Sequence, residues 1–152
     1  MTTEGLLDTA RQLLATWVST ATQPAPNRLD VKLAATDLLA ASDALHSARW
    51  GYLSAITGLD DMKANEIEVL YHFCEGAAIV TLRVRLPRDN AVVPSICGIT
   101  AGATFFEREL AEMFGVTVTG APNSDRLFLP DEWPTDKPPL RKDFIVPAPV
   151  EN

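Results

Sequence analysis

Residues 104–144 read TFFERELAEMFGVTVTGAPNSDRLFLPDEWPTDKPPLRKDF and join a short amphipathic segment to a long proline-rich one. Thr104 followed by Glu107 predicts a capping box, in which each side chain binds a free backbone N–H of the other residue. Gly115 predicts a left-handed C-cap. The apolar residues between them recur at the spacing of one helical face, namely Phe106, Leu110, Met113 and Phe114. We therefore predict a three-turn helix from Thr104 to Gly115 that packs on a core.

The charges of this helix are not explained by the helix itself. Glu107 and Glu109 flank the apolar face, whereas Arg108 and Glu112 lie together on the opposite face, four residues apart. Arginine before glutamate is the less favourable order, and Glu112 lies near the negative end of the helix dipole. We expect groups outside the helix to contact these side chains, and a solvated charged face is the alternative.

A proline-rich tail follows the helix. It holds seven of the eleven prolines, which exclude a further regular helix or a central strand: Pro122, Pro130, Pro134, Pro138, Pro139, Pro147 and Pro149. It also carries apolar side chains that are unusual in a solvated linker: Leu127, Phe128, Leu129, Trp133, Leu140 and Phe144. The sequence thus predicts a domain of residues 1–120 and an extended C-terminal tail of residues 121–152 that lies along a surface, of this protein or of a partner.

Composition limits the class of protein. A polypeptide of 152 residues with 47% hydrophobic and 22% charged residues is typical of one globular domain, and its net charge of -7 argues against nucleic acid as a partner. No apolar run approaches the roughly 20 residues of a membrane span, and no signal peptide is evident, so a cytoplasmic location is expected. Cys74 and Cys97 stand apart without a CxxC motif, which indicates reduced thiols.

Periodicity predicts the remaining elements. A helix is expected over residues 4–19, a break over 21–27, a strand over 29–33, a second helix from Leu38 to near Arg49, and a strand over 50–57. Residues 92–96 are expected to be extended. Together with the hairpin described next, this order predicts an α+β fold. Its small mixed or antiparallel sheet has about four strands, with helices mainly on one face and a polar opposite face.

A β-hairpin is the clearest strand signal. A two-residue loop at Glu75 and Gly76 would pair apolar residues on one face, namely Ile67 with Val84, Val69 with Leu82, Tyr71 with Val80 and Phe73 with Ala78. The other face would pair opposite charges, Glu66 with Arg85 and Glu68 with Arg83.

Several motifs together resemble a known family. EREL, EMFG, LFLP followed by a Trp, and PLRKDF lie in the helix and tail, and WGYLSAITGLDD, VLYHF and VPSICGITAGATFFERE lie upstream. From about Leu29 to Phe144 the sequence resembles the family of the hydrophilic C subunit of respiratory complex I, the proton-translocating NADH:quinone oxidoreductase. Related membrane-bound nickel-iron hydrogenases share this subunit. The family's usual His-Pro-Asp-Leu-Arg-Arg run is replaced by APNSDR at residues 121–126, and Phe105 and Phe106 replace a common Trp-Tyr pair.

The resemblance implies a structural subunit with no catalytic or cofactor site of its own. Its expected partners are a larger quinone-site subunit, similar to a hydrogenase large subunit, and neighbouring hydrophilic subunits. NADH, FMN, iron-sulfur clusters and quinone would belong to those partners. The complex would lie peripherally on the cytoplasmic side of the membrane, with no direct membrane span in this polypeptide.

The expected partner interface lies on the last helix and the tail. It comprises Glu107, Arg108, Glu109, Phe114, Gly115, Arg126, Trp133, Pro139, Leu140, Arg141, Lys142 and Asp143. Trp133 and Leu140 would be apolar anchors. Arg141 could form a bidentate pair with Glu109 or with a partner carboxylate, and an intramolecular salt bridge that binds the tail is the alternative.

Other functions have less support. Glu107, Glu109 and Glu112 could be imagined as metal ligands, but di-metal carboxylate helices use Glu-x-x-His spacing, which is absent. His46 ends a helix and His72 lies on a strand opposite Ile79, so both are interpreted as structural. A free-standing enzyme with His72 and a glutamate as acid and base remains a remote alternative. A closer alternative to a complex I subunit is the equivalent subunit of an energy-converting nickel-iron hydrogenase or of a ferredoxin-linked complex.

Truncation before Asp125 tests the division into domain and tail. We expect the shortened protein to keep its circular dichroism spectrum and to lose its partner in co-purification. Loss of the folded spectrum would instead show that the tail belongs to the core.

Overall fold

The computed structural model describes residues 1–146, so Pro147 and Pro149 of the predicted tail lie outside the described residues. The elements in order along the sequence are α1 (Thr3–Leu14), β1 (Thr20–Ala25), β2 (Arg28–Lys32), a 3-10 turn (Ala35–Asp37), α2 (Leu38–Ser47), β3 (Tyr52–Asp61), β4 (Glu66–Glu75), β5 (Ala78–Pro87), β6 (Val92–Pro94), α3 (Ala103–Phe114) and β7 (Thr117–Thr119).

Five strands form a mixed sheet in the order β1-β2-β5-β4-β3. Strands β2 and β5 are parallel, and the other neighbours are antiparallel. Strands β6 and β7 form a separate parallel pair beside α3. The predicted α+β class is confirmed.

The prediction missed strand β1, which occupies most of the expected break at residues 21–27. It lies at the edge of the sheet, and its pairing with β2 is irregular between Thr22 and Ala25, around Pro24. Proline is tolerated at such an edge because no further strand needs its missing N–H. Residues 21–27 have the composition of a turn, so the periodicity did not predict the edge strand that they form in part.

The hairpin of β4 and β5 forms, but the predicted register was wrong by two residues. Its loop is Gly76 and Ala77, because the positive φ of 56° falls on Gly76 at the first loop position. The observed pairs are Val69 with Val84, Tyr71 with Leu82, Phe73 with Val80, His72 with Thr81, Glu68 with Arg85 and Glu66 with Pro87. A shift of two residues leaves every side chain on its predicted face, since side chains alternate with a period of two.

One face of the sheet and the helices enclose the core. The largest buried side chains include Leu7 and Leu14 of α1, Leu38 and Leu45 of α2, and Tyr71 and Leu82 of the hairpin. Trp50 Nε1 donates a hydrogen bond of 2.9 Å to the carbonyl oxygen of Leu6, which ties α1 to the start of β3.

The opposite face carries charged residues, as the alternation predicted. Arg83 donates two bonds to Glu68, of 2.9 and 2.8 Å, and one of 3.0 Å to Asp30. Arg85 donates to Glu66 at 2.7 Å. The expected charge partners therefore meet, although diagonally across the strands. Glu68 is fully buried because its neighbours cover it.

Helix α3 begins one residue earlier than predicted and without a capping box. Its N-cap is Gly102, with no side-chain hydrogen bond, so the predicted role of Thr104 was wrong. Glu107 accepts its hydrogen bonds from donors on the segment before the helix, and not from the Thr104 amide. The helix ends as predicted at Gly115, which has a φ of 67°. Its apolar face packs on β3, where the Phe114 ring lies against Gly58.

Gly58 permits this close contact between α3 and β3. A Cβ atom at Gly58 would lie 2.6 and 2.8 Å from Cε2 and Cγ of Phe114. We expect Gly58→Ala to lower the free energy of unfolding by about 1–3 kcal/mol, measured by urea denaturation, because the ring must move. Gly98→Ala is the control, since a Cβ there meets no atom within 4 Å. Equal stability of the two variants would contradict the prediction.

Candidate partner-docking surface

Glu107 lies inside the protein and organises the segment before α3. Its carboxylate accepts hydrogen bonds from Ser95 Oγ (2.7 Å), from the Ile96 amide (2.7 Å) and from Cys97 Sγ (3.2 Å). Burial, with Glu107 nearby, raises the pKa of the Cys97 thiol, which therefore stays protonated and donates. Burial and the Glu107 charge likewise raise the pKa of Tyr71. Glu107 is only 2% exposed and presents little surface to a partner.

Arg108 and Glu112 bind the tail. Both side chains bind the backbone of residues 125–128. Arg108 donates to two of its carbonyl oxygens, and Glu112 accepts from two of its amides. The bonds measure 2.8 Å from Arg108 to each carbonyl of Asp125 and Arg126, and 2.5 and 2.9 Å from the amides of Leu127 and Phe128 to Glu112. Groups outside the helix thus account for both charges, as the sequence indicated.

The next part of the tail is braced by its own residues. Arg126 donates to the carbonyl oxygens of Pro130 (3.1 Å) and Trp133 (2.5 Å). Trp133 Nε1 donates to Lys137 O at 2.8 Å, and its ring stacks on Phe144 with centroids 5.8 Å apart. Trp133 therefore has an internal role, in addition to the anchoring role predicted for it.

The tail then returns to the C-terminal end of α3. The Leu140 amide donates to Met113 O at 2.9 Å, and Arg141 Nε donates to Phe114 O at 2.7 Å. These bonds satisfy carbonyl oxygens that a helix end leaves free. Gly115 is required here for a second reason, because a Cβ on it would lie 2.8 Å from Pro138 Cγ.

Arg141 does not pair with Glu109, one of the two carboxylate partners suggested for it, and a pair with a partner carboxylate stays a prediction. No salt bridge in residues 1–146 includes Arg141, whose guanidinium caps the helix instead. A cation at the negative end of a helix dipole is favourable, which explains the preference. Glu109 is half-buried at the edge of a cleft between α3 and β3.

A charged cluster, here called the Asp60 cluster, binds the last described part of the tail. It consists of Asp60, Arg88, the Lys142 amide and Asp143. Arg88 donates to both oxygens of Asp60, at 2.7 and 3.0 Å, and to Asp143 at 2.5 Å. The Lys142 amide donates to Asp60 at 2.8 Å. The hydrogen bond from Arg88 holds the pKa of both carboxyl groups below its usual value.

Asp60 and Arg88 were not among the predicted site residues. Asp60 lies in the LDD end of β3, and Arg88 follows β5, 55 residues before Asp143 in the sequence. The sequence signal for Asp60 was its place in the WGYLSAITGLDD motif, and the signal for Arg88 was its place at the end of a strand. Pairing between such distant residues could not be inferred from local patterns.

Exposed apolar side chains concentrate on α3 and the tail. Of the ten large hydrophobic residues exposed in the described part of the protein, five lie there: Phe105 (58%), Phe128 (63%), Leu140 (53%), Ile145 and Val146. Among them only Leu140 was predicted as a site residue. Leu140 also lines the cleft with Phe106, Phe114 and Gly58, and Pro139 beside it is half-buried. We call the outer side of α3 and residues 125–146 the α3–tail surface.

His72 does not form the acid–base pair of the remote alternative. Its nitrogens lie 3.1 Å from Thr57 Oγ1 and 3.0 Å from Thr81 Oγ1, on the sheet face opposite α3. Burial, aided by the positive charge of Arg28, lowers the pKa of His72, so it is neutral at pH 7. Across residues 1–146 no group of three or more His, Cys, Asp or Glu side chains is placed to bind a metal. No helix of that part is long and apolar enough to cross a bilayer.

The fold and this surface define a small α+β domain whose last helix binds its own C-terminal tail. The protein belongs to the family described as "Respiratory-chain NADH dehydrogenase, 30 Kd subunit", whose family model matches residues 31–150.

Three curated relatives illustrate the range of the family. The protein is 35% identical over 103 residues to the C subunit of the NADH-quinone oxidoreductase of Roseiflexus sp. (strain RS-1), a match to 66% of this sequence and 58% of the relative. It is 32% identical over 104 residues to the C subunit of the F(420)H(2) dehydrogenase of Methanosarcina mazei, a match to 64% and 63%. It is 33% identical over 116 residues to formate hydrogenlyase subunit 5 of Escherichia coli (strain K12), a match to 71% and 20%. The protein thus spans about three fifths of the first two relatives.

Two solved structures share the fold. One belongs to the membrane-bound sulfane sulfur reductase, an archaeal respiratory membrane complex, with a TM-score of 0.73 and 24% identity over 93% of this protein and 86% of that one. The other is the trypsin-resistant fragment (1-134) of Nqo5, with a TM-score of 0.60 and 22% identity over 79% and 97%.

Acidic pH should weaken the Asp60 cluster. The pKa of Asp60 is lower in the folded than in the unfolded protein, so its contribution is complete above about pH 5 and is lost as the pH falls below about 4. We expect the wild type to exceed Asp60→Asn in free energy of unfolding by about 3 kcal/mol at pH 7. The difference, measured by urea denaturation, should shrink toward about pH 3. A constant difference would contradict this assignment.

Proposed function

We propose that this protein is a non-redox structural subunit of a membrane-associated respiratory complex of the NADH:quinone oxidoreductase type. It docks through the α3–tail surface onto a larger quinone-site subunit and contacts neighbouring hydrophilic subunits, on the cytoplasmic side of the membrane. One observation carries the proposal: the tail uses its backbone polar groups to bind α3 and leaves large apolar side chains facing outward.

The hydrogen bonds between the tail and α3 support the idea that the α3–tail surface is already formed before a partner docks. Arg108, Glu112 and Arg141 all bind the tail or the end of α3 within the protein. These side chains therefore position the surface, and they add little charge to its outer side. Phe105, Phe128 and Leu140 are more than half exposed, which is the arrangement expected of anchors that enter pockets on a partner.

The size difference between relatives supports a larger partner. The match spans only 20% of formate hydrogenlyase subunit 5, so four fifths of that protein is additional polypeptide. In formate hydrogenlyase subunit 5 this domain is joined to further polypeptide, whereas other relatives are named as separate subunits. Where the domain is a separate subunit, we expect it to contact the subunit that corresponds to that further polypeptide. The α3–tail surface is the best candidate in this protein for such a contact.

The proposal assigns NADH, FMN, iron-sulfur clusters and quinone to partner subunits. The sequence contains no G-x-G-x-x-G motif or P-loop for a nucleotide, and its two cysteines are separate. The contribution of this protein to electron transfer is then indirect, through assembly of the complex.

A second candidate is the equivalent subunit of an energy-converting hydrogenase or another related complex. It is favoured by the similarity to formate hydrogenlyase subunit 5 and to the F(420)H(2) dehydrogenase relative, which match at nearly the same identity as the NADH-quinone oxidoreductase relative. The two candidates predict the same surface and different partners.

A pull-down from native membranes separates these candidates. The protein is tagged at its N-terminus so that the tail is unaltered, and stoichiometric partners are identified by mass spectrometry. Flavin-binding and quinone-site subunits would support the first candidate, and a nickel-iron large subunit would support the second. Recovery of the tagged protein alone would contradict both.

Substitution of outward apolar residues tests the docking surface itself. We expect Leu140→Ser combined with Phe128→Ser to reduce partner recovery at least about tenfold, because buried apolar anchors dominate interface energy. Tyr52→Ser is the matched control, since Tyr52 is 66% exposed but lies at the far end of β3. Similar losses in the double variant and the control would contradict the assignment of this surface.

A further inference from the structure

We infer that Asp60 and Arg88 are positioning residues that hold the tail against its own domain, so that the α3–tail surface is formed before any partner binds. This inference rests on the proposed function only in that the α3–tail surface is taken to be the surface that binds the partner. The attachment itself can be tested on the isolated protein.

The Asp60 cluster has a buried and an exposed half. The side chains of Asp60 and Arg88 are 1% and 15% exposed, whereas that of Asp143 is 52% exposed. A buried charge that loses its partner is strongly unfavourable, whereas an exposed ion pair contributes little. Attachment of the tail should therefore depend on Asp60 far more than on Asp143.

Asp60 binds the tail through its backbone. Its Oδ2 accepts from the Lys142 amide at 2.8 Å and from Arg88 at 3.0 Å, so one oxygen joins the tail and the ion pair. A backbone contact determines the path of the tail whatever side chain residue 142 carries. The cluster therefore sets where the tail runs.

The cluster attaches the far end of the tail. Arg108 and Glu112 bind residues 125–128, and the next hydrogen bonds from the tail to the domain are at Leu140, Arg141 and the Asp60 cluster. Proline reduces the freedom of the intervening segment but does not determine its direction. The Leu140 amide binds Met113 O beside the cleft between α3 and β3, and the Lys142 contact attaches the tail to the domain again two residues later.

A preformed surface has a consequence for binding. A tail that is already attached loses little conformational entropy when the partner docks, whereas a free tail would have to be ordered at that moment. Loss of the cluster should thus weaken docking even though neither Asp60 nor Arg88 belongs to the exposed apolar surface.

Hydrogen exchange of the isolated full-length protein tests the attachment. We expect Asp60→Asn to speed amide exchange in residues 139–146 about tenfold or more, measured by peptide mass spectrometry at about pH 7. Peptides from β4 and β5 should remain protected. Asp61→Asn is the matched control, because Asp61 is the next residue on the opposite face of β3 and its Oδ2 lies 3.5 Å from Arg85 Nη1.

A second variant applies if Asp60→Asn does not fold. Lys142→Pro removes the amide that binds Asp60 and leaves both side chains of the Asp60–Arg88 pair in place. Lys142 occupies the second position of a turn closed by the Phe144 amide and Arg141 O at 3.0 Å, where proline is favoured. Faster exchange at residues 143–146 in this variant would support the inference. Unchanged exchange in either folded variant would overturn it.

The same variants in the membrane pull-down separate the two proposals. Faster exchange together with reduced partner recovery supports both. Faster exchange with full recovery leaves the attachment correct and contradicts docking by a preformed tail. Unchanged exchange with reduced recovery overturns the attachment and leaves the docking surface standing.

Discussion

The carboxylate of Asp60 cannot remain charged inside the protein without partners, and the fold supplies them from two distant segments. Arg88 after β5 binds both oxygens, and the Lys142 amide in the tail binds one of them. A charge buried at the end of β3 thereby determines where a segment 82 residues later must lie. Charge-assisted bonds in a low-dielectric site are the strong ones, which makes this contact an effective constraint on an otherwise irregular tail.

Helix α3 is the second organising element, and its polar groups are satisfied by the segments on either side of it. Glu107 binds the segment that leads into the helix, Arg108 and Glu112 bind the segment 125–128, and the last carbonyl oxygens bind Leu140 and Arg141. The outer side of the helix and tail exposes Phe105, Phe128 and Leu140, beside exposed charged residues of the tail such as Asp131, Glu132 and Lys137.

Local patterns predicted the fold class, the end of α3 at Gly115 and the faces of the β4–β5 hairpin. Errors arose where a local rule competed with a distant partner or an unusual position. The capping box failed because the Ile96 amide and Ser95 bind Glu107 in place of Thr104. Strand β1 was missed because its edge position tolerates Pro24. The hairpin register was wrong because positive φ falls on the first loop residue, and Arg141 caps a helix end that the sequence did not place beside it.

The sequence by itself determined which faces of the helices and strands are buried, because alternation and helical periodicity are properties of neighbouring residues. Its motifs also determined the family. Only the tertiary structure decided which charges meet: Arg88 with Asp60 and Asp143, Arg108 and Glu112 with the tail, and Arg141 with the end of α3. Those contacts join residues 15 to 55 positions apart, and their energy depends on burial and geometry that exist only after the sheet and helices have packed.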